Sequence, residues 1–164
     1  MGNENGALRV TGNINDFIAP GIDTNSLPEG VTLLPRGLDG SRYVFSSCTL
    51  AVLKLFKQGG VKVTIAMSDK MLIREERDAS WFGPIIFFGL SEVSQNPDVV
   101  NVSLGIISNY LTDIFKGDTG TKTIKITCIT EDKKGEYSKF TYDGPLEGLD
   151  VFKGMVEKNV QHKK

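Results

Sequence analysis

Residues 80–117, SWFGPIIFFGLSEVSQNPDVVNVSLGIISNYLTDIFKG, are the most apolar part of the chain, and any fold it adopts must place them. A membrane, a soluble core and the lining of a site are the three destinations. A membrane-spanning helix needs about 20 mostly apolar residues. The first run, residues 81–90, stops at Ser91 and Glu92. The second, residues 99–115, carries Asn101, Asn109 and Asp113. Neither suits a bilayer, so the stretch is expected to form a core, and no membrane partner is expected.

The second run is punctuated as a helix over residues 97–116. Asn96 suits an N-cap, Pro97 the first helical position, Asp98 complements the dipole, and Lys116-Gly117 ends it. Val100, Leu104, Ile107, Leu111 and Ile114 give one apolar stripe, which Val99, Val102, Ile106 and Tyr110 widen. So broad a stripe marks a central buried helix. Residues 80–94 admit two readings. Ile85-Ile86-Phe87-Phe88 suits a buried strand, but Pro84 fits the first turn of a helix starting after Asp78 or Ser80, and helix is the reading adopted.

Around this centre the pattern changes period. VTLLPRGLDGSRYVF, residues 31–45, reads as two strand-forming runs about a Gly-rich turn. Ser46 or Ser47 can cap a helix that ends at Gly59-Gly60, with Leu50, Leu53 and Phe56 as its stripe. Residues 61–68, VKVTIAMS, alternate as a half-buried strand does. In residues 123–142 the even positions Ile124, Ile126, Cys128, Phe140 and Tyr142 share one face. A hairpin pairing Ile124 with Tyr142 and Ile126 with Phe140, over a five-residue loop, keeps them together. A last helix follows Pro145, with Leu149, Phe152, Val156 and Val160 on one stripe. The expected fold is one α+β domain over residues 31–160: a mixed or antiparallel sheet, a C-terminal β-hairpin, about four helices and the central buried helix 97–116. Residues 1–30 read as a loosely ordered lead-in holding at most one short strand, and residues 161–164 as a tail. At this length roughly 68–70% of the unfolded chain's surface can be buried.

Composition excludes several function classes. Nineteen basic against twenty acidic residues leave a net charge of −1, so no field draws the chain to nucleic acid, and none is expected as a partner. The single histidine, His162, lies among the last residues, which argues against Ser-His-Asp, Cys-His and HExxH chemistry. Cys48 and Cys128, far apart in apolar segments, read as reduced, buried thiols of a cytoplasmic protein, and no metal is expected. The opening MGNENGALRV lacks a charged leader before an apolar run, so no signal peptide is expected.

Arg74, Glu75, Glu76, Arg77 and Asp78, followed by Trp81, form the densest polar cluster. Two guanidiniums can hold a phosphate or carboxylate, and an indole can stack on a ligand. These six residues are the expected ligand-binding site, with a solvated connector as the plainer alternative. GDTGTKT, residues 117–123, fails as a phosphate loop: the leading glycine is missing, Lys122 follows Thr121, and the context runs helix to strand. PRGLDGSR offers Arg36 and Arg42 on a Gly-rich loop that reads mainly as a turn. Asp113 is expected on the wet side of its helix with Asn109 and Thr112. The functional expectation is a non-catalytic domain binding a small anionic molecule or another protein, without cofactor, self-associating through residues 81–116. A metal-dependent hydrolase or phosphoryl-transfer enzyme using Glu75, Glu76 and Asp78, and an accessory subunit of a larger complex, are the alternatives.

Overall fold

The computed structural model describes residues 6–75, 81–116 and 122–161. Its largest departure from the pattern reading lies in the apolar stretch. Trp81–Phe88 is a strand, not the start of a helix. Numbered along the chain, it is the seventh of nine strands among the described residues: β1 (Ala7–Gly12), β2 (Val31–Leu34), β3 (Gly37–Asp39), β4 (Arg42–Ser46), β5 (Val63–Ile65), β6 (Met71–Arg74), β7 (Trp81–Phe88), β8 (Thr123–Glu131) and β9 (Tyr137–Pro145). The helices are α1 (Thr49–Gln58), α2 (Leu90–Gln95), α3 (Val99–Ile114) and α4 (Leu149–Gln161).

Six strands form one mixed sheet in the order β1-β9-β8-β7-β2-β5, and β3-β4-β6 form a second. β7 runs between β8, parallel to it, and β2, antiparallel to it. Its helix-facing side chains (Trp81, Ile86, Phe88) and its opposite ones (Phe87, with Ile85 packed beside it) both meet apolar neighbours. A strand buried on both faces loses its alternation, which is why periodicity alone could not separate it from a helix. Pro84 sits where the β7–β8 register slips between Phe82 and Ile85. A bulge spares the ladder the N–H that proline lacks.

The helix-side core joins α1, α3 and α4 to the sheet. Val100, Leu104, Ile107 and Leu111 are at most 1% exposed, whereas Ile114, at the end of the same predicted stripe, is 46% exposed. The central helix starts at Val99 rather than 97 and ends at Ile114 rather than 116. Residues 96–99 form a turn closed by the Val99 amide on the Asn96 carbonyl, and the Asn96 side chain is engaged by Glu92. It therefore does not cap α3. Asn109, Thr112 and Asp113 lie on the exposed side of that helix. Helix α1 buries Thr49, Val52 and Phe56; Leu50, assigned to its stripe from spacing, is exposed.

The β8–β9 ladder keeps the even residues on the helix side but is displaced by two positions. Ile126 faces Tyr142 and Cys128 faces Phe140. Asp132 fixes this register. Its Oδ1 accepts from the Lys134 and Glu136 amides, both at 2.9 Å, and Gly135 supplies the positive φ of 83° the turn needs. Ahead of β2, residues 7–27 supply the edge strand β1 on β9 and two 3-10 turns. Ile14, Phe17, Ile18 and Leu27 cover Leu34, Phe87, Ile129 and Tyr137 on the sheet face away from the helices. No helix among the described residues is long and apolar enough to cross a membrane.

Cys128 is fully buried on β8, and burial pushes its thiol far above the ordinary value; burial likewise raises Cys48, Tyr137 and Tyr142. Folding therefore favours the neutral forms. Their contribution is complete below the unfolded thiol's range, near pH 8.5–9, and is lost as pH rises beyond it. Cys128 alone removes about 1.4 kcal/mol per pH unit above that range. Urea midpoints measured from pH 8 to 10.5 should fall steadily, and less steeply in Cys128→Ala. An unchanged slope in that variant would exclude Cys128 as a source.

Candidate functional site

Of the six residues singled out from sequence, the structure describes Arg74, Glu75 and Trp81. Arg74, at the end of β6, is half-exposed and forms an ion pair with Asp39 of β3, reaching across β4 within the second sheet. Such an exposed pair contributes little to stability. Glu75 is exposed, and its charge is felt by the Cys48 thiol at the start of α1. Glu76, Arg77 and Asp78 lie outside the described residues. Trp81 opens β7 only 4% exposed, packed in the helix-side core, and its Nε1 has no hydrogen-bond partner among the described residues.

A different set of side chains converges on the other face of the large sheet. The segment at residues 14–27 covers that face only at the end carrying Phe87, Ile129 and Tyr137. At the opposite end a cavity of about 220 Å³ remains, lined by Arg36, Phe82, Ile85, Lys125, Thr127 and Thr141 together with backbone at Gly83 and Ile126. Three strands build it. β7 supplies Phe82 and Ile85, β8 Lys125 and Thr127, β9 Thr141. In the ladder Phe82 is opposite Lys125, Ile85 opposite Thr127, and Thr127 opposite Thr141. The Asp132 amide bonds the Glu136 carbonyl, so the odd-numbered β8 positions fall at the close, non-hydrogen-bonded pairs. Thr127 and Thr141 therefore stand side by side on that face.

The bulge shapes the cavity wall. Between Phe82 and Ile85, β7 carries two residues where β8 carries one, so both side chains come to the same face. Gly83 leaves that wall without a side chain, and a Cβ there would come within 2.5 Å of the Trp81 ring. Phe82 then becomes a platform for two cations. The Arg36 guanidinium carbon lies 4.3 Å and the Lys125 ammonium 5.4 Å from its ring centre. Each such contact is worth about 0.5–1 kcal/mol at an exposed site and up to about 2 when desolvated. Lys125 also lies 3.9 Å from the Asp143 carboxylate. A guanidinium over a ring keeps its N–H donors in its own plane, where carboxylate or phosphate oxygens can meet them.

Arg36 belongs to the PRGLDGSR segment, where the sequence hinted at an anion contact. Arg42, its companion there, is exposed on β4. Phe82, Lys125, Thr127 and Thr141 left no signal in sequence, since three strands bring them together across 60 positions of chain. A second, wider groove of about 300 Å³ lies between the β5 edge and the α2–α3 turn, with Glu29, Glu92 and Asp98 on its walls and Lys62 paired to Glu29 at 3.2 Å. Among the described residues no group of three or more His, Cys, Asp or Glu side chains is placed to hold a metal ion. Comparison of the chain with protein-family models, with curated proteins and with solved structures found no match.

Proposed function

We propose that the chain is a non-catalytic binding domain that receives a small anionic molecule on the half of its large sheet that residues 14–27 do not cover. The observation carrying this reading is the cavity in which Arg36 and Lys125 meet over Phe82 beside Thr127 and Thr141. An apolar wall with a few converging polar groups is the usual make-up of a ligand site. Both cations are seated on a ring of the rigid sheet, so little ordering would accompany binding. Arg74 with Asp39 remains a second candidate contact, at a distance in the fold that the reading does not require.

Self-association through residues 81–116 has a narrower basis. Among their large apolar side chains the exposed ones are Val102 and Ile114; the others are buried or partly buried. The enzyme reading leans on Glu75, exposed at the end of β6, and on Glu76 and Asp78 beyond the described residues.

Native mass spectrometry of untagged protein, compared with its denatured mass, tests the binding reading. Mass in excess of whole chains, lost on denaturation, is the expected result. A native mass equal to whole chains, from protein purified gently out of its source cells, would count against it.

A further inference from the structure

We infer that β1 is an interface between two copies of this chain, which join edge to edge as an antiparallel pair centred on Val10. The edge is built by β1 and not by the cavity, so the inference stands apart from the binding reading. β1 is an outer strand of the six-stranded sheet, paired with β9 on one side and with no strand on the other among the described residues. The Asp143 amide bonds the Gly6 carbonyl, so the even-numbered β1 residues exchange their backbone bonds with β9. The N–H and C=O groups of Arg9 and Thr11 therefore point away from the sheet. Both residues are exposed, and nothing among the described residues bonds those groups. Sheets commonly guard such an edge with a proline, a bulge, a charge or a covering element. β1 has no proline and no break in its register. Its one charge, on Arg9, is drawn back over the Phe140 ring, 5.7 Å from its centre, and onto the Ser138 hydroxyl. The opposite edge differs: β5 is three residues long, and its Val63 is buried in the helix-side core.

The side chains select a second copy as the partner. Leu8 and Val10, 39% and 44% exposed, stand on the face of Thr141 and Lys139. In a symmetric pair, outward backbone must meet outward backbone, which leaves few registers. An axis at Arg9 would set like charges opposite one another and would need Ala7, which is buried. An axis at Thr11 would carry the pairing past Gly12, where β1 ends. The axis at Val10 uses residues 8–12 alone. It sets Val10 against its own copy at a close, non-hydrogen-bonded position, and Leu8 against Gly12 of the second copy. Arg9 meets Thr11 of the second copy in both directions, and each such pair exchanges both of its backbone bonds. No like charges oppose one another. Residues 8–12 on each side fall well short of the about 20–30 residues a side of a standard interface, so the dimer is weak and forms at high concentration.

The test is sedimentation equilibrium of the whole untagged chain from about 10 μM to about 1 mM, the range in which so small an interface associates. The fitted mass should rise from one chain toward two. In a mixture of isotope-labelled and unlabelled chain, NMR contacts between copies should centre on Val10, and the Arg9 and Thr11 amides should exchange more slowly at the higher concentration. Val10→Lys sets two ammonium groups face to face at the axis and should weaken the dimer by about ten-fold or more, with Tm near the parent's because the side chain is exposed. Thr11→Pro removes an N–H that β9 does not use and should weaken it by a similar factor. Ile114→Lys, on the exposed part of α3, should leave the dimer as it is. A chain that stays single at the highest concentration overturns the inference. So does a dimer weakened by Ile114→Lys and not by Val10→Lys, which would move the interface to α3. A single chain whose Arg9 and Thr11 amides are protected by an unrelated strand-forming peptide would give the edge to a foreign strand and overturn it as well.

Discussion

Phe140→Ala should destabilise the protein by about 3–5 kcal/mol, the range for truncating a buried phenylalanine. Phe140 is fully buried at the middle of β9, opposite Cys128 on one side and Arg9 on the other. The Arg9 guanidinium lies 5.7 Å from its ring centre and hydrogen-bonds Ser138, so the ring is also roofed at the sheet edge. Strands on both flanks prevent β9 from closing over the vacated volume, which places the loss toward the upper part of the range. For a chain this long each kcal/mol moves Tm by about 2–4 °C, so the midpoint should drop by about 6–20 °C. The urea midpoint should fall with little change in slope. Thr141→Val, the very next residue but on the cavity side, should stay within about 0.5 kcal/mol of the parent. Comparable losses in both variants would mean that the two faces of β9 are not divided into core and cavity as described.

That division was partly written in the sequence. Alternation in residues 123–142 assigned Phe140 and Tyr142 to one face because each strand has polar residues between its apolar ones, and one face of the hairpin is covered by helices. The register was not legible. Two pairings differing by two positions keep the same residues inside, and the choice between them falls to the Asp132 carboxylate and its two amide bonds. β7 was misread for the opposite reason: it is apolar on both faces, and its proline, a helix-start signal by position, sits in a bulge. The candidate site illustrates a deeper limit. A cluster contiguous in sequence, Arg74 to Asp78, draws notice because it is contiguous; of it Arg74 and Glu75 are described, and Arg74 pairs with Asp39. The convergent set comes from positions 36, 82, 125, 127 and 141. Only the strand order and the bulge make them neighbours.

Gly30→Ala is expected to have the second large effect, and its cause is equally hidden in sequence, where Pro28-Glu29-Gly30 reads as an ordinary loop. Gly30 has φ 103°, a region that side chains rarely adopt, and an added Cβ would lie 2.5 Å from the Lys62 carbonyl oxygen and 3.0 Å from its carbon. The neighbour is backbone and cannot swing aside. That same carbonyl accepts the Val31 amide at 2.8 Å, the first bond joining β2 to β5. Backbone strain of about 1–2 kcal/mol and crowding of about 1–3 are offset by the 0.4–1 or so that alanine gains by restricting the unfolded chain. The net loss should be about 1–4 kcal/mol, read from the urea midpoint. Hydrogen exchange separates this cause from a general weakening. The Val63 and Ile65 region should exchange faster by a larger factor than β8 and β9, because β5 is a three-residue edge held to the sheet through β2. β2 also leads through Pro35 into Arg36, so loosening its start should reach the cavity wall. Uniform acceleration across the sheet would instead mean that the Gly30 contact has no special part in holding β2 to β5.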